Sequence, residues 1–497
     1  RLAFVHEYSG LAASPSLDQA SSGGGNNSTP SSGATPVTTQ ADELVIGAVS
    51  VADGNNAVIN TDGNFPGGPF KLSQGAGSYP RSLSTQYRIV SATASYTFAP
   101  TLTAGRLWAA GIATYKAATA LTCTVTNTND AAAGSLRDCI TYANSNPGTT
   151  ISFNIPDTDG GFIDNAPAGP GGNDYWRIQP NSGGQGALPP ITASGTIIDG
   201  STQRVNYGSD TNGLGPEIEI NGALAGSVNG LSFTSNNNTL NEIIVNGFAG
   251  NPGVRLTGDG NSVNNNYIGT NYSGTTADAN GYGVFVSGGT GNHFIGTAGN
   301  GNVLSGNSFY GILIAAGTGT DVKGNFIGTN AAGASPIPNS IDGIFVQTNS
   351  NIIGGTGAGE ENVISGNTGE GIELLGASFT TIRGNLIGTD PGGTLDIGNG
   401  GDGIRISGAS TDNAIGGTAG DEGNVISGNG GSGIELFGTG PADNGIYGNY
   451  IGTNAAGTTA IPNQASGVFI QDGPSGTLIG SSTGSGGNVI SGNVGNG

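Results

Sequence analysis

The chain repeats itself, and the repeat decides what it can fold into. From Gly343 to Asp402 it reads GIFVQTNSNIIGGTGAGEENVISGNTGEGIELLGASFTTIRGNLIGTDPGGTLDIGNGGD, and nearly the same words recur on either side. Ile-Gly-Thr-Asn/Asp falls at Ile268, Ile327, Ile387 and Ile451, in steps of 59, 60 and 64 residues. Ser-Gly-Asn closes at Asn307, Asn367, Asn429 and Asn493, in steps of 60, 62 and 64. A Gly followed by an apolar triplet appears twice per unit, at Gly230, Gly253, Gly283, Gly311, Gly343, Gly371, Gly403, Gly433 and Gly467. The elementary period is therefore about 30 residues, doubled by an alternating loop, which is the signature of a solenoid.

Three short strands fit each turn: Gly343 to Val346, Asn351 to Gly354 and Asn362 to Asn367, then Gly371 to Leu375, Thr381 to Asn385 and Leu386 to Thr389. Their apolar residues alternate with period two, and helical spacing is absent. Stacked turns place Ile344, Ile372, Ile404 and Ile434 in one interior column at about 4.8 Å per turn, with parallel ladders satisfying the backbone. The expected fold is a parallel β-helix over residues 149–497.

Composition agrees: of 497 residues 96 are Gly, none is Met and only 9% are charged. A formal charge of −21 with 13 Lys and Arg argues against nucleic acid as a partner. No stretch approaches ~18 consecutive apolar residues, so no membrane insertion is expected. The chain opens at Arg1 without a start Met or signal peptide and stops at Gly497, where another strand is due. Both ends read as cuts in a longer protein.

Residues 1–117 follow another grammar. Runs at Leu2 to Glu7, Glu43 to Val51, Tyr87 to Phe98 and Leu107 to Lys116 predict a β-sandwich, with Ala20 to Thr39 as a Ser/Gly/Thr/Pro loop. A strand at the first residues makes the sandwich read as incomplete, either with an edge open to another chain or with strands removed. Residues 118–148 form a junction. Cys123 begins a strand, and Ser135-Leu-Arg-Asp138 opens a short helix whose apolar face is Leu136, Cys139, Ile140 and Ala143. Such a helix caps the open end of a solenoid. Cys123 and Cys139 read as a disulfide stabilising by about 3 kcal/mol, the alternative being two buried thiols.

The run TCTVTNTNDAAAGSLRDCITYANSNPGTTISFNIP, then TIIDGSTQ, then the repeated IGGT, NVISGN and GNxIGT words, resembles the right-handed parallel β-helix repeat proteins of bacterial surfaces and secretions. The resemblance spans roughly residues 120–497, and residues 1–117 are similar to the β-sandwich segments that precede such repeats. It implies this fold, export to the cell surface or beyond, and an adhesive or structural role. It carries no shared catalytic motif.

Because β-helices also host polysaccharide lyases, hydrolases and tailspikes, chemistry must be sought residue by residue. The outward position of the first strand runs, turn by turn, Ser232, Arg255, Phe285, Leu313, Phe345, Glu373, Arg405, Glu435, Phe469. Glu373, Arg405 and Glu435 read as an ion-pair ladder that offsets like-charge stacking, or as a sugar-binding or catalytic cluster. Phe285, Leu313 and Phe345 form an exterior apolar stripe, covered by a loop of this chain or facing another subunit or a glycan. Asn265, Asn325, Asn385 and Asn449, and the Ser-Gly-Asn asparagines, are expected in hydrogen-bonded ladders. The loops Gly355 to Asn362 and Gly417 to Asn424, and Asp157 to Gly160, offer oxygen ligands to Ca²⁺, though none matches a full calcium loop.

The acids do not gather in sequence, so no catalytic residue, cofactor or metal ligand is assigned. The expectation is an extracellular structural or adhesive protein, a surface fibre or filament subunit assembling with itself end to end or laterally, and not an enzyme. The alternative is a polysaccharide-binding or polysaccharide-degrading β-helix.

Overall fold

A computed structural model describes residues 17–40, 42–52, 59–60, 62–65, 67–74, 81–116, 121–165, 173–481, 484 and 486–497. They form two compact units, Arg1–Ala120 and Leu121–Gly497. The strand expected at Leu2 to Glu7 lies outside the described residues. In the first unit one antiparallel sheet runs Gly67–Gln74, Arg81–Ser91, Asp42–Ala52, Arg106–Lys116, Leu17–Asn27. Its inner face packs Val45, Val49, Val51 and Ile112 on Phe65, Tyr96, Phe98 and Leu102. The second layer is the pair Ile59–Asn60 with Thr101–Leu102, continued by 32–38 bonded to 94–98. This is the expected sandwich, with one correction: Leu17–Asn27 is a strand where a loop was read. Among the described residues it pairs on one side only, and its glycines admit a neighbour, since a Cβ at Gly25 would lie 2.8 Å from the Trp108 ring.

The second unit is the right-handed parallel β-helix, three strands to a turn. One sheet of nine strands runs from Leu231–Phe233 to Val468–Gln471, and two sheets of twelve complete the triangle. Ile312, Ile344, Ile372, Ile404 and Ile434 pair turn on turn, all fully buried in one continuous core. At the N-terminal end the helix Leu136–Ser145 is capped by Ser135 and buries Leu136, Cys139, Ile140 and Ala143 in that core. Cys139 is disulfide-bonded to Cys123 of the strand Leu121–Val125. The irregular stretch before the regular turns holds a further short helix, Thr202–Tyr207, which the sequence reading did not include. Among the described residues no helix is long and apolar enough to cross a membrane.

Polar side chains hold the corners. One amide ladder runs through Asn266, Asn302, Asn325, Asn362, Asn385, Asn424, Asn449 and Asn488, each Nδ2 donating to the next Oδ1 at 2.8–3.1 Å. It passes through Asn266, not Asn265, whose φ of 56° turns its side chain out of the ladder. A second ladder runs from Asn307 to Asn493 through Asn339, Asn367, Asn399, Asn429 and Asn463. At the third corner His293 replaces an asparagine, its Nδ1 accepting from the Asn261 N–H at 3.3 Å, a structural use of that histidine.

The Ile-Gly-Thr-Asn/Asp words explain the doubled period. Asn271, Asn330, Asp390 and Asn454 accept from the N–H four residues on, at 2.7–3.0 Å, and close the long loop of every second turn. The glycine before them must be a glycine: Gly388 has φ 88°, and a Cβ there would lie 2.2 Å from the Ser427 carbonyl.

Asn424→Leu is expected to cost about 3 kcal/mol. It strands the Asn385 N–H and the Ile382 carbonyl, which the Asn424 side chain contacts at 3.0 and 2.8 Å in a buried row, and breaks the amide ladder on both sides. Chemical denaturation reads the loss, with exposed Thr458→Ala as a control within about 0.5 kcal/mol of wild type.

Candidate functional site

The nine-stranded sheet turns one row of side chains outward, and its register places Arg255, Phe285, Leu313, Phe345, Glu373, Arg405, Glu435 and Phe469 on successive turns. Three residues earlier, just before each anchoring glycine, stands a second row: Tyr282, Tyr310, Asp342, Glu370, Asp402 and Ser432. The two rows interleave. Tyr282 stacks on Phe285 with ring centres 5.3 Å apart, and Tyr310 on Phe345 at 5.0 Å, with Phe309 5.1 Å from Tyr282. Five aromatic rings thus form one platform, with Leu313 buried beneath it.

The platform runs directly into charge. Arg405 Nη1 donates to Glu370 Oε1 at 3.4 Å, and its Nε lies 3.3 Å from Glu435 Oε2, a charge contact without hydrogen-bond geometry. Asp342 shares a side-chain hydrogen bond with Glu370 and also accepts from the Glu370 N–H at 2.9 Å. Asp402 shares one with Glu435 and accepts from the Ser432 N–H at 2.6 Å. The result is a chain Asp342, Glu370, Arg405, Glu435, Asp402. Glu373 lies beside it, accepting from Ser407 Oγ at 3.3 Å, and Gln471 donates to Glu435 at 2.9 Å. The Phe437 ring lies 5.4 Å from the Arg405 guanidinium.

Burial and the proton shared with Glu370 push the Asp342 carboxyl up to about 8. Burial and the charge of Glu435, to which it is hydrogen-bonded, push Asp402 up to about 7. Burial, then the charge of Glu370, also raises Glu373. Crowding carboxyls around one arginine leaves protons on the aspartates at neutral pH. Asp342 is only 1% exposed and cannot touch a large ligand, whereas Glu373, Asp402 and Arg405 are half-buried and can.

Part of the stripe Phe285, Leu313, Phe345 lies under this chain's own rings: Tyr282 of the strand Tyr282–Val286 stacks on Phe285, and Tyr310, in the loop before the strand Ile312–Ile314, stacks on Phe345. The column Glu373, Arg405, Glu435 is one edge of a wider cluster, and Arg405 pairs with Glu370 and Glu435. The reading that the acids do not gather is corrected here. Asp342, Glu370 and Asp402 were missed because they are 28 and 32 residues apart. The signal was present in the residue preceding each Gly-apolar anchor, a position not followed from turn to turn. The calcium loops also read differently. Glu360 pairs with Lys323 at 3.2 Å and Glu422 with Arg383 at 3.0 Å, and both accept from loop N–H groups. Among the described residues no group of three metal-ligating side chains is placed to hold an ion.

No protein-family model and no curated protein sequence matches the chain. Solved structures do. The A-module of a mannuronan C-5 epimerase from Azotobacter vinelandii is 14% identical, over 74% of this chain and 97% of that one, with a TM-score of 0.40. The Dettilon tailspike protein is 15% identical, over 74% of this chain and 64% of that one, TM-score 0.42. A GH87 α-1,3-glucanase catalytic domain in complex with nigerose is 11% identical, over 95% and 92%, TM-score 0.24. Likeness at this level speaks to the fold alone. The expectation that the chain is not an enzyme is corrected on its own premise: the acids taken as scattered gather around Arg405, in the chain from Asp342 to Asp402.

Proposed function

We propose that the solenoid binds a polysaccharide along the outer face of its nine-stranded sheet and cleaves it at the charged end of that face. One observation carries the reading: stacked aromatic rings run without a break into a chain of carboxyl groups, two of which keep their protons near neutral pH. A pyranose ring offers an apolar face of C–H groups to aromatic side chains and an edge of hydroxyls to carboxylates and arginine. Turns repeat at about 4.8 Å, close to the length of one sugar residue, so a glycan lying along the solenoid meets about one turn per sugar.

Glycosidic cleavage needs a protonated carboxyl for the leaving oxygen and a carboxylate that activates water or attacks the sugar carbon. Asp402, half-buried and protonated to about pH 7, supplies the first. Glu373 supplies the second, a stronger base for its raised pKa. Arg405 offsets the negative charge of the two glutamates it touches, and Asp342, out of reach of the ligand, positions Glu370. The disulfide and the resemblance to exported proteins support an extracellular setting.

The test is release of oligosaccharides from a panel of neutral and acidic polysaccharides, followed by mass spectrometry. Products are expected from the wild type, with losses of at least a hundredfold in Arg405→Ala and Glu373→Ala proteins that melt as the wild type does. Binding without release supports the adhesive reading in place of cleavage, and neither binding nor release overturns both.

A further inference from the structure

The solenoid unit carries seven basic side chains. Six of them, Arg137, Arg177, Arg204, Lys323, Arg383 and Arg405, lie against carboxylates. Arg255 does not: among the described residues no ion pair includes it. Its Nε donates to Ser287 Oγ at 2.8 Å, and its guanidinium lies 6.0 Å from the Phe285 ring centre. In a chain of formal charge −21 an arginine left without a carboxylate is unusual, because acids outnumber bases 34 to 13. Its place is unusual too. Arg255 precedes Phe285 in the outward row, at the end of the platform opposite the carboxyl chain.

Beside it opens a cavity of about 440 Å³. Its lining is apolar in part, at Leu188, Pro190 and Val228, and no Asp or Glu belongs to it. Thr234 and Thr257 spend their hydroxyls on backbone carbonyls and Asn251 its amide on Ser227 and Ala249, which leaves Asn229 and Ser232 as neutral donors. Asn229 Nδ2 donates to Ser232 Oγ at 3.2 Å, which leaves the second amide proton of Asn229 and the hydroxyl proton of Ser232 to donate. An unneutralised guanidinium with two neutral donors on the same cavity makes a site for an anion with oxygen acceptors.

We propose that the Arg255 cavity is a subsite for one acidic group of the glycan, a carboxylate or a sulfate ester. The inference rests on the polysaccharide reading and deepens it by naming the substrate class. Arg255, Phe285, Leu313, Phe345 and Glu373 stand in register on successive turns, so the acidic group lies four turns, roughly 19 Å, from Glu373. At the other end an acidic sugar would meet five carboxyl groups. The substrate is therefore a heteropolysaccharide with neutral sugars at the cleavage point and an acidic one about four residues away.

Titration calorimetry on the whole chain tests this with hexasaccharides of neutral hexoses and with the same hexasaccharides bearing one terminal uronate or one terminal sulfate ester. The acidic ligands are expected to bind about tenfold tighter, with the advantage shrinking at high salt. The uronate and sulfate arms identify which anion is preferred. Arg255→Gln should erase the advantage and leave neutral binding unchanged, while Arg255→Lys should keep part of it. Equal binding of neutral and acidic ligands by the wild type, or an equal loss of both in Arg255→Gln, overturns the subsite and leaves the polysaccharide reading standing. Binding of neither set overturns that reading and the subsite with it.

Discussion

Asp402→Asn is expected to lower glycan turnover about a thousandfold while leaving substrate affinity within a few-fold of the wild type. The amide keeps the shape of the protonated carboxyl, and its oxygen can still accept from the Ser432 N–H, which approaches Asp402 at 2.6 Å. It has no proton to give to a departing sugar oxygen. The wild-type pH profile supplies the companion result. Asp402 is a carboxyl raised from 3.8 to about 7 by burial and by Glu435, so it holds its proton below that value and loses it above. Turnover should fall as pH climbs through about 7, and the low-pH limb should follow protonation of Glu373. The small residual turnover of Asp402→Asn should lack the alkaline limb. A variant with that limb intact would move the acid role to another carboxyl.

Tyr310→Ala is expected to raise KM about thirtyfold with kcat nearly unchanged. The Tyr310 ring stacks on Phe345 at 5.0 Å and stands between Tyr282, 6.1 Å away, and the first carboxyl, Asp342, of the same row. Its loss breaks the platform where the aromatic and charged halves meet, and touches no group that moves a proton. Because the ring is half-buried on the exterior, the interior columns of isoleucine and asparagine stay as they are and the melting temperature should move little. Initial rates across a range of substrate concentrations separate the two parameters. A drop in kcat as large as the rise in KM would place Tyr310 in the reaction and not in binding alone.

The solenoid was legible because its rules are local and repeated. A column such as Ile344, Ile372, Ile404, Ile434 shows in one period of about 30 residues, and a strand that short has room for few alternative registers. The outward row was legible for the same reason. The second row was not, since Tyr282, Tyr310, Asp342, Glu370 and Asp402 change residue type from turn to turn and share only a place before glycine. Nor could sequence reveal that Arg405 reaches Glu370 diagonally across rows, a matter of side-chain length and direction. In the N-terminal unit Leu17–Asn27 was lost to its composition: a glycine- and serine-rich edge strand lacks the apolar alternation that marks a half-buried one. Asn265 and Asn266 show the limit at single-residue scale, where one left-handed residue decides which of two neighbours joins the ladder.

The most direct measurement is a crystal structure of the Asp402→Asn protein soaked with an oligosaccharide that the wild type cleaves. The account predicts sugar rings stacked over Tyr282, Tyr310 and Phe345, with a glycosidic oxygen at hydrogen-bonding distance from residue 402 and an adjacent hydroxyl on Arg405 or Glu373. Sugars bound on either of the other two sheets, with the nine-stranded face bare, would contradict it.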